Sequence, residues 1–425
     1  MTQNYDVIVI GGGPMGLCSA YNCAKAGKRV LLLERFNLFN QSGSSNDLVR
    51  MFRTMYTEDY MADLAYQTIN LWKELESDAA EQLILMTGLL NFGDPDYQMG
   101  PEGNLTDPIK NLKRLGMPYR ELTAQKIMEE YPFRNLPSNF IGLFAPDNGC
   151  INVPLVLRSL YRLALVYGAK IVSHTSVKEL AVQEESVTVV ATLNSNLEIE
   201  KFHAKKCIIT AGAYTNDILE SVGLSIELKI WEMVYEYYAT NPSPNGTLFP
   251  SMWFQFKEDT GKDPPKSNLF YGFPSVPWAP PNLCRIAVDN AVNIIANPKD
   301  RRIVPSENDL TITAEFVKHH CIGVDDRPNY CGTCLQTNTV DNNFVLDYLP
   351  EQVGTGHKNV AIFTAGWGFK FVPLIGRILK ELVIDGHTEY DISHFKITRK
   401  GIIGAPSKYQ TVLRSGGSSH HQDVY

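Results

Sequence analysis

Apolar and polar positions follow two different rhythms along this chain. Residues 5–10 form an almost unbroken apolar run, 11–13 are glycines, apolar residues recur at helical spacing over 14–26, and 29–34 return to an apolar run. Strands buried on both faces read as continuous runs, so this stretch predicts strand, tight turn, helix and parallel strand. Helix passes to strand again in "VPLVLRSLYRLALVYGAKIVSHTSVKEL", where Gly168 closes the helix and residues 170–173 extend. Two further apolar strands, "AKKCIITAGAYTNDIL" and "NVAIFTAGWGFKFVPLIGRILKELV", each end at a glycine.

Between these lie stretches of another character. Residues 91–144 are polar and proline-punctuated, whereas 226–324 hold the alternating series Trp231, Met233, Tyr235, Tyr237 and the aromatic group Trp253, Phe254, Phe256. Period-two alternation predicts antiparallel strands with one face in a core and the other lining a pocket. The expected fold class is therefore α/β plus antiparallel β. A discontinuous Rossmann-like nucleotide domain, residues 1–90, 145–225 and 325–395, is interleaved with a substrate domain, 91–144 and 226–324. Residues 396–425, ending "RSGGSSHHQDVY", read as a polar tail.

Composition narrows the partners. The 425 residues carry a formal net charge of −7, so no basic field exists to hold nucleic acid or an anionic membrane. No apolar stretch approaches the ~20 residues that cross a bilayer. The opening MTQNYD lacks the basic and apolar regions of a secretory signal, so the expectation is a cytoplasmic protein, acting as a monomer on a small molecule. Most of its eight cysteines are then expected to be reduced and buried rather than paired.

Gly11-x-Gly13-x-x-Gly16 follows a predicted strand and opens a predicted helix, with Glu34 ending the next strand. In that context the fingerprint signals a dinucleotide. The first glycine permits the turn, the second admits the pyrophosphate, the third lets helix and strand pack, and the acid accepts from a ribose. First-turn amides, with Pro14 and Met15 beginning the helix, meet the phosphates. FAD is preferred to NAD because the "TAG" strands, with Ala211 and Gly212 in one of them, suggest a long ligand touched by distant segments.

Four separated segments, "GSSNDLVRMFR", "FYGFPS", "CGTCLQTNTVDNNFVLD" and "GFKF", resemble the flavin-dependent amine oxidases of the monomeric sarcosine oxidase type, to about residue 395. The resemblance implies a covalent flavin thioether at Cys334, beside readings of Cys334 as a buried structural thiol, a redox pair with Cys331, or half a zinc site with His319, His320 and Cys321. An attacking thiolate there requires a lowered pKa or a nearby cation. The resemblance further implies flavin contacts from Arg35, Ser44, Ser45, Arg50, Val177, Gly366, Gly368, Phe369 and Lys370. It also implies a substrate carboxylate gripped by Arg53 and Lys370, a guanidinium fork and a compact ammonium.

Departures from the pattern matter as much. The loop before "GFKF" is short and carries Trp367, whose indole suits a flat substrate ring; Asn46 replaces a histidine; Arg285 replaces the lysine credited with activating oxygen; Asp289 stands for a second histidine. Arginine retains positive charge but donates no proton at neutral pH, which leaves a dehydrogenase open. With Tyr271 and Glu102, this set resembles the nikkomycin-pathway branch, whose piperideine-2-carboxylate substrate becomes picolinate, with oxygen as acceptor. Glu102 or Asp289 would manage ring protons, although Glu102, in a loop, reads first as a solvated charge.

Overall fold

The apolar runs become neighbouring strands. The computed structural model describes residues 4–45, 47–96, 103–241, 249–257, 267–289 and 291–404, with side chains at 254–257 and 267 excepted. Strand Asn4–Ile10 lies parallel to Val30–Leu33 on one side and to Ile199–Ile209 on the other; Lys170–Val172 and Val360–Thr364 extend the sheet outward in parallel. Leu31, Ile8 and Cys207 are fully buried in this layer, each aliphatic side chain contributing about 1.5–3 kcal/mol. A hairpin, Thr175–Val182 with Val187–Leu193, and strand Val345–Tyr348 complete eight strands with antiparallel edges. Helices Pro14–Lys25 and Val372–Asp385 pack on one another beside the sheet.

These elements belong to one unit, residues 1–46, 157–230 and 336–425; the second unit is 47–156 and 231–335. The boundaries differ from those expected. Residues 47–90 and 145–156 lie in the second unit because Val49–Phe52, Ile84–Met86 and Gly149–Asn152 form their own three-stranded sheet and Leu89–Gly93 enters the large sheet. The segment expected to be a tail is anchored through residue 404. Phe395 stacks on Phe344 at 4.8 Å, Arg399 pairs with Asp341 at 2.6 Å, and Ile403 bridges to Ile226. Residues 405–425 are outside the described set.

Among the described residues the second unit's large sheet has nine strands, and the expected antiparallel sheet is mixed, since Ser251–Lys257 runs parallel to Leu89–Gly93. Alternation divides it into two faces. Leu90, Phe92, Met252, Phe270, Ile286 and Val288 form one core, covered by helix Glu307–His320, whose Phe316 stacks on Phe270 at 4.2 Å. Leu89, Leu143, Trp253 and Phe273 face the other way and pack with Val49, Met51 and Met55.

Candidate active site

The glycine turn of the first unit is shaped by close approach. Gly11 has φ +105°, and a Cβ there would lie 2.6 Å from the Thr210 carbonyl oxygen; a Cβ on Gly16 would lie 1.9 Å from the Gly11 oxygen. Only glycine fits either place. Gly13 is the N-cap of Pro14–Lys25 and no side chain caps that helix, so its first-turn amides remain for an anion. The buried Glu34 carboxylate accepts from the Gly12 amide at 2.6 Å and the Phe36 amide at 2.9 Å. Burial pushes its carboxyl above the ordinary value, against the pull of those two amides.

The "TAG" loops meet this turn. Thr210 donates its amide to Ile10 and its hydroxyl to Gly11, and the Gly212 carbonyl accepts from Thr215 at 2.7 Å and Thr364 at 3.1 Å. A Cβ on Gly368 would come within 3.1 Å of Met15, and Gly366, at φ +71°, donates to the Thr337 carbonyl at 2.8 Å. Ser45 borders Gly13, and Ser44 is exposed. Lys370 is 8% exposed within the 3-10 turn Gly368–Phe371, with Trp367 and Phe369 half-buried beside it. Two expected contacts point elsewhere. Arg35 pairs with Asp217 at 2.8 Å and lies over Tyr214, while the Val177 side chain sits in the sheet core at a bulge.

In the second unit, strand register sets two neighbouring rows of side chains on one face. Tyr237 pairs with Arg285 and Arg285 with Phe273; Tyr271 pairs with Trp253 and Trp253 with Asn91. All project from the face opposite the Phe270 core. Arg285, 2% exposed, donates to the Tyr271 hydroxyl at 3.1 Å and lies over the Tyr271 and Phe273 rings.

Its charge is engaged rather than free. Arg285 Nε stands 2.8 Å from Asp47 Oδ2, an ion pair whose approach lies off the N–H axis, and Arg50 Nη1 reaches the same oxygen at 2.5 Å. Tyr237 and the Leu48 amide donate to Asp47 Oδ1. Burial alone would raise the Asp47 carboxyl, but Arg285 and then Arg50 outweigh it and hold it below the ordinary range. Asp47 is not singled out by the sequence, although it lies inside the "GSSNDLVRMFR" segment.

Cys334 is 8% exposed and packs with Met233, Tyr235 and Tyr237. Burial pushes its thiol above the ordinary value, with Arg50 pulling down, Asp47 pushing up and Arg285 pulling down. The cations expected near a reactive cysteine are present, but the lowered pKa is not. All eight cysteines are free thiols, among the described residues no group of three or more His, Cys, Asp or Glu could hold a metal, and Cys321 packs in the Phe270 core, apart from the cluster that holds Cys334.

Arg53, 4% exposed, lies against two aromatic rings, its guanidinium carbon 4.3 Å from the Tyr56 ring centroid and 4.8 Å from that of Trp253. Asp289 follows strand Leu283–Val288, half-buried, its amide donating to Leu269 at 2.6 Å and its charge acting on the Tyr271 phenol. The second unit thus gathers Arg50, Cys334, Arg285, Tyr271 and Asp289. Glu102 and Asn46 lie outside the described residues. Tyr237, Trp253, Asn91 and Tyr56 join the site unannounced; the first two were visible in the aromatic alternation, the others in no pattern.

A family model described as FAD dependent oxidoreductase matches residues 6–382. The chain belongs to the FAD-dependent oxidoreductase family. The glycine cradle, the uncapped helix and the buried Glu34 fit the dinucleotide half of that cofactor. NikD, an unusual amino acid oxidase essential for nikkomycin biosynthesis, solved in an open form, superposes with a TM-score of 0.83 and 32% identity, covering 93% of this chain and 98% of that one. Human peroxisomal sarcosine oxidase is 30% identical, covering 94% of this chain and 97% of its own length. A Dictyostelium discoideum protein named as a bifunctional amine oxidase is 53% identical over 94% of this chain, which spans only 37% of that relative. No helix among the described residues is long and apolar enough to cross a membrane.

Proposed function

We propose that this FAD-dependent oxidoreductase oxidises a cyclic imino or amino acid at its C–N bond, with piperideine-2-carboxylate as substrate and picolinate as product. The observation that carries the reading is the buried Arg53 guanidinium, which lies against the rings of Tyr56 and Trp253, with Tyr271 beside Trp253. A guanidinium presents a planar fork that takes a carboxylate by two parallel hydrogen bonds. Relatives named as sarcosine and amino acid oxidases support the class.

The bound flavin supplies a two-electron acceptor, so an aromatic product requires two rounds of oxidation. Arg53 fixes the acid group; positioning of this kind contributes about 7–11 kcal/mol where reacting atoms are held in near-attack geometry. Tyr271 and Arg285 keep the neighbouring surface polar, Trp367 suits a planar ring, and Asp289 is the carboxylate assigned to ring protons, with Glu102 as the second candidate. Lys370 is assigned to the same acid group by the sequence resemblance, and Lys370→Met tests it separately. Cys334 is proposed to carry the flavin through a thioether to its 8α carbon.

The deciding experiment is an anaerobic titration of the yellow protein with piperideine-2-carboxylate, pipecolate, proline and sarcosine. Bleaching of the flavin band by the cyclic imino acid first is the expected result; preferential bleaching by sarcosine or pipecolate transfers the assignment to a secondary amino acid oxidase. A second reading, a dehydrogenase, is favoured by the Asp47–Arg285 ion pair, which ties up the charge that would attract oxygen's developing anion. Oxygen uptake and peroxide release during turnover separate the two.

A further inference from the structure

Arg53 stands on a stretch of chain that belongs to no helix or strand. Residues 53–58 join strand Val49–Phe52 to helix Asp59–Ala79, and Arg53, Thr54, Met55 and Tyr56 are all buried. Buried backbone outside a ladder finds its hydrogen bonds elsewhere. Here two asparagine side chains supply partners from distant parts of the second unit. Asn148 is fully buried in the turn between Ile141–Ala145 and Gly149–Asn152. Its Oδ1 accepts from the Thr54 amide at 2.6 Å and the Thr54 hydroxyl at 3.1 Å, and its Nδ2 donates to the Ala145 carbonyl at 3.1 Å. Asn111, 2% exposed on helix Pro108–Arg114, donates to the Tyr56 carbonyl at 3.2 Å and the Thr57 carbonyl at 3.1 Å. Its own oxygen accepts from Arg114 at 3.0 and 3.1 Å.

We infer that Asn148 and Asn111 are positioning residues that aim the Arg53 fork; this rests on the carboxylate role proposed for Arg53. The Thr54 amide belongs to the peptide that leaves Arg53, so the Asn148 carboxamide fixes the backbone from which the guanidinium projects. Asn111 does the same for the peptide that leaves Tyr56, whose ring lies 4.3 Å from the guanidinium carbon. Each carboxamide has one orientation that satisfies its neighbours, because a backbone N–H and an arginine only donate and a carbonyl only accepts. The two holds therefore set both the fork and the ring against it. A fork needs two N–H groups aligned with the acid, and a displacement of about 1 Å costs about 100-fold where geometry governs the rate. An ammonium, a point charge on a flexible stem, tolerates the same displacement.

The test uses the flavin-loaded enzyme and picolinate, with binding read from perturbation of the flavin absorbance. Asn148→Ala is expected to weaken picolinate about 10- to 100-fold, the upper figure being that of a 1 Å misplacement. Asn111→Leu is expected to weaken it about three- to tenfold, as for one lost hydrogen bond. Flavin content should stay at the wild-type ratio in both. The same changes made on Arg53→Lys, which keeps the charge without the fork, are expected to weaken picolinate less than about twofold. Should Asn148→Ala yield no flavoprotein, Thr54→Val, which deletes only the hydroxyl bond and keeps the shape, takes its place with an expected three- to tenfold loss, again roughly one hydrogen bond. Binding within about twofold of wild type, or an equal loss in the wild-type and Arg53→Lys backgrounds, assigns the asparagines to the fold alone and overturns the inference. In that case loss of picolinate in Arg53→Met shows that the carboxylate role of Arg53 stands. Retention of picolinate in Arg53→Met, or no binding of it by wild type, overturns that role and the inference with it.

Discussion

Asp47→Asn isolates the buried charge that joins two guanidiniums. Asp47 has φ +88°, a backbone setting that asparagine tolerates as readily as aspartate, so the substitution changes charge and not conformation. Its side chain is fully enclosed, that of Arg285 is 2% exposed and that of Arg50 19%. Removing one partner of a buried pair costs about 3–5 kcal/mol, because the remaining charge stays desolvated. Arg50 keeps some contact with solvent, so the lower end applies, about 3 kcal/mol, or roughly 6–12 °C in Tm for a unit of this size. Denaturant unfolding of wild type, Asp47→Asn, Arg285→Met and the double variant measures it, the double variant recovering part of the loss. The acid limb carries the sign. A carboxyl held below its ordinary value stabilises the fold above that value and loses the contribution as pH falls through the depressed one, so Asp47→Asn should have a shallower acid limb. A variant within about 0.5 kcal/mol of wild type, the scatter expected of surface changes, refutes the reasoning.

Other outcomes follow from the same geometry. Cys334→Ala should release flavin on acid denaturation, whereas the wild-type protein should retain it in the pellet; fully extractable wild-type flavin removes the thioether. Gly16→Ala drives a methyl into the Gly11 carbonyl, so purified protein should carry little flavin, and a normal flavin-to-protein ratio contradicts the cradle. Arg53→Met should raise the half-saturating substrate concentration at least tenfold with flavin content unchanged, as read by steady-state kinetics alongside the absorbance ratio. Glu236 is buried with Tyr238 donating to it, and burial pushes its carboxyl up to about 7. A raised carboxyl favours the fold below its unfolded value and loses that as pH rises through 7, so Glu236→Gln should gain in Tm relative to wild type between pH 5 and 8.

The nucleotide cradle was legible because each of its requirements is local. A tight turn, a close helix and a terminal acid fall within residues 11–34, and the continuous apolar runs name the strands around them. The alternation of Trp231, Met233, Tyr235 and Tyr237 likewise announced a two-faced sheet. It did not announce that Ser251–Lys257 lies parallel to Leu89–Gly93, because pairing partners leave no mark on period two. Domain edges failed for a related reason: residues 47–90 look like a continuation of the nucleotide unit until Val49–Phe52 finds Gly149–Asn152, a hundred residues away.

The sequence by itself determined a dinucleotide cradle on a parallel sheet and put forward Arg53, Arg285 and Lys370 as candidate cations. Only the tertiary structure decided what each charge does. Arg285 and Arg53 are both buried arginines, yet one is tied to Asp47 and the other lies against the rings of Tyr56 and Trp253. Chain order carries no information about which carboxylate or ring will lie within 5 Å of a guanidinium. At that range, out of water, the partner decides how a buried cation is held.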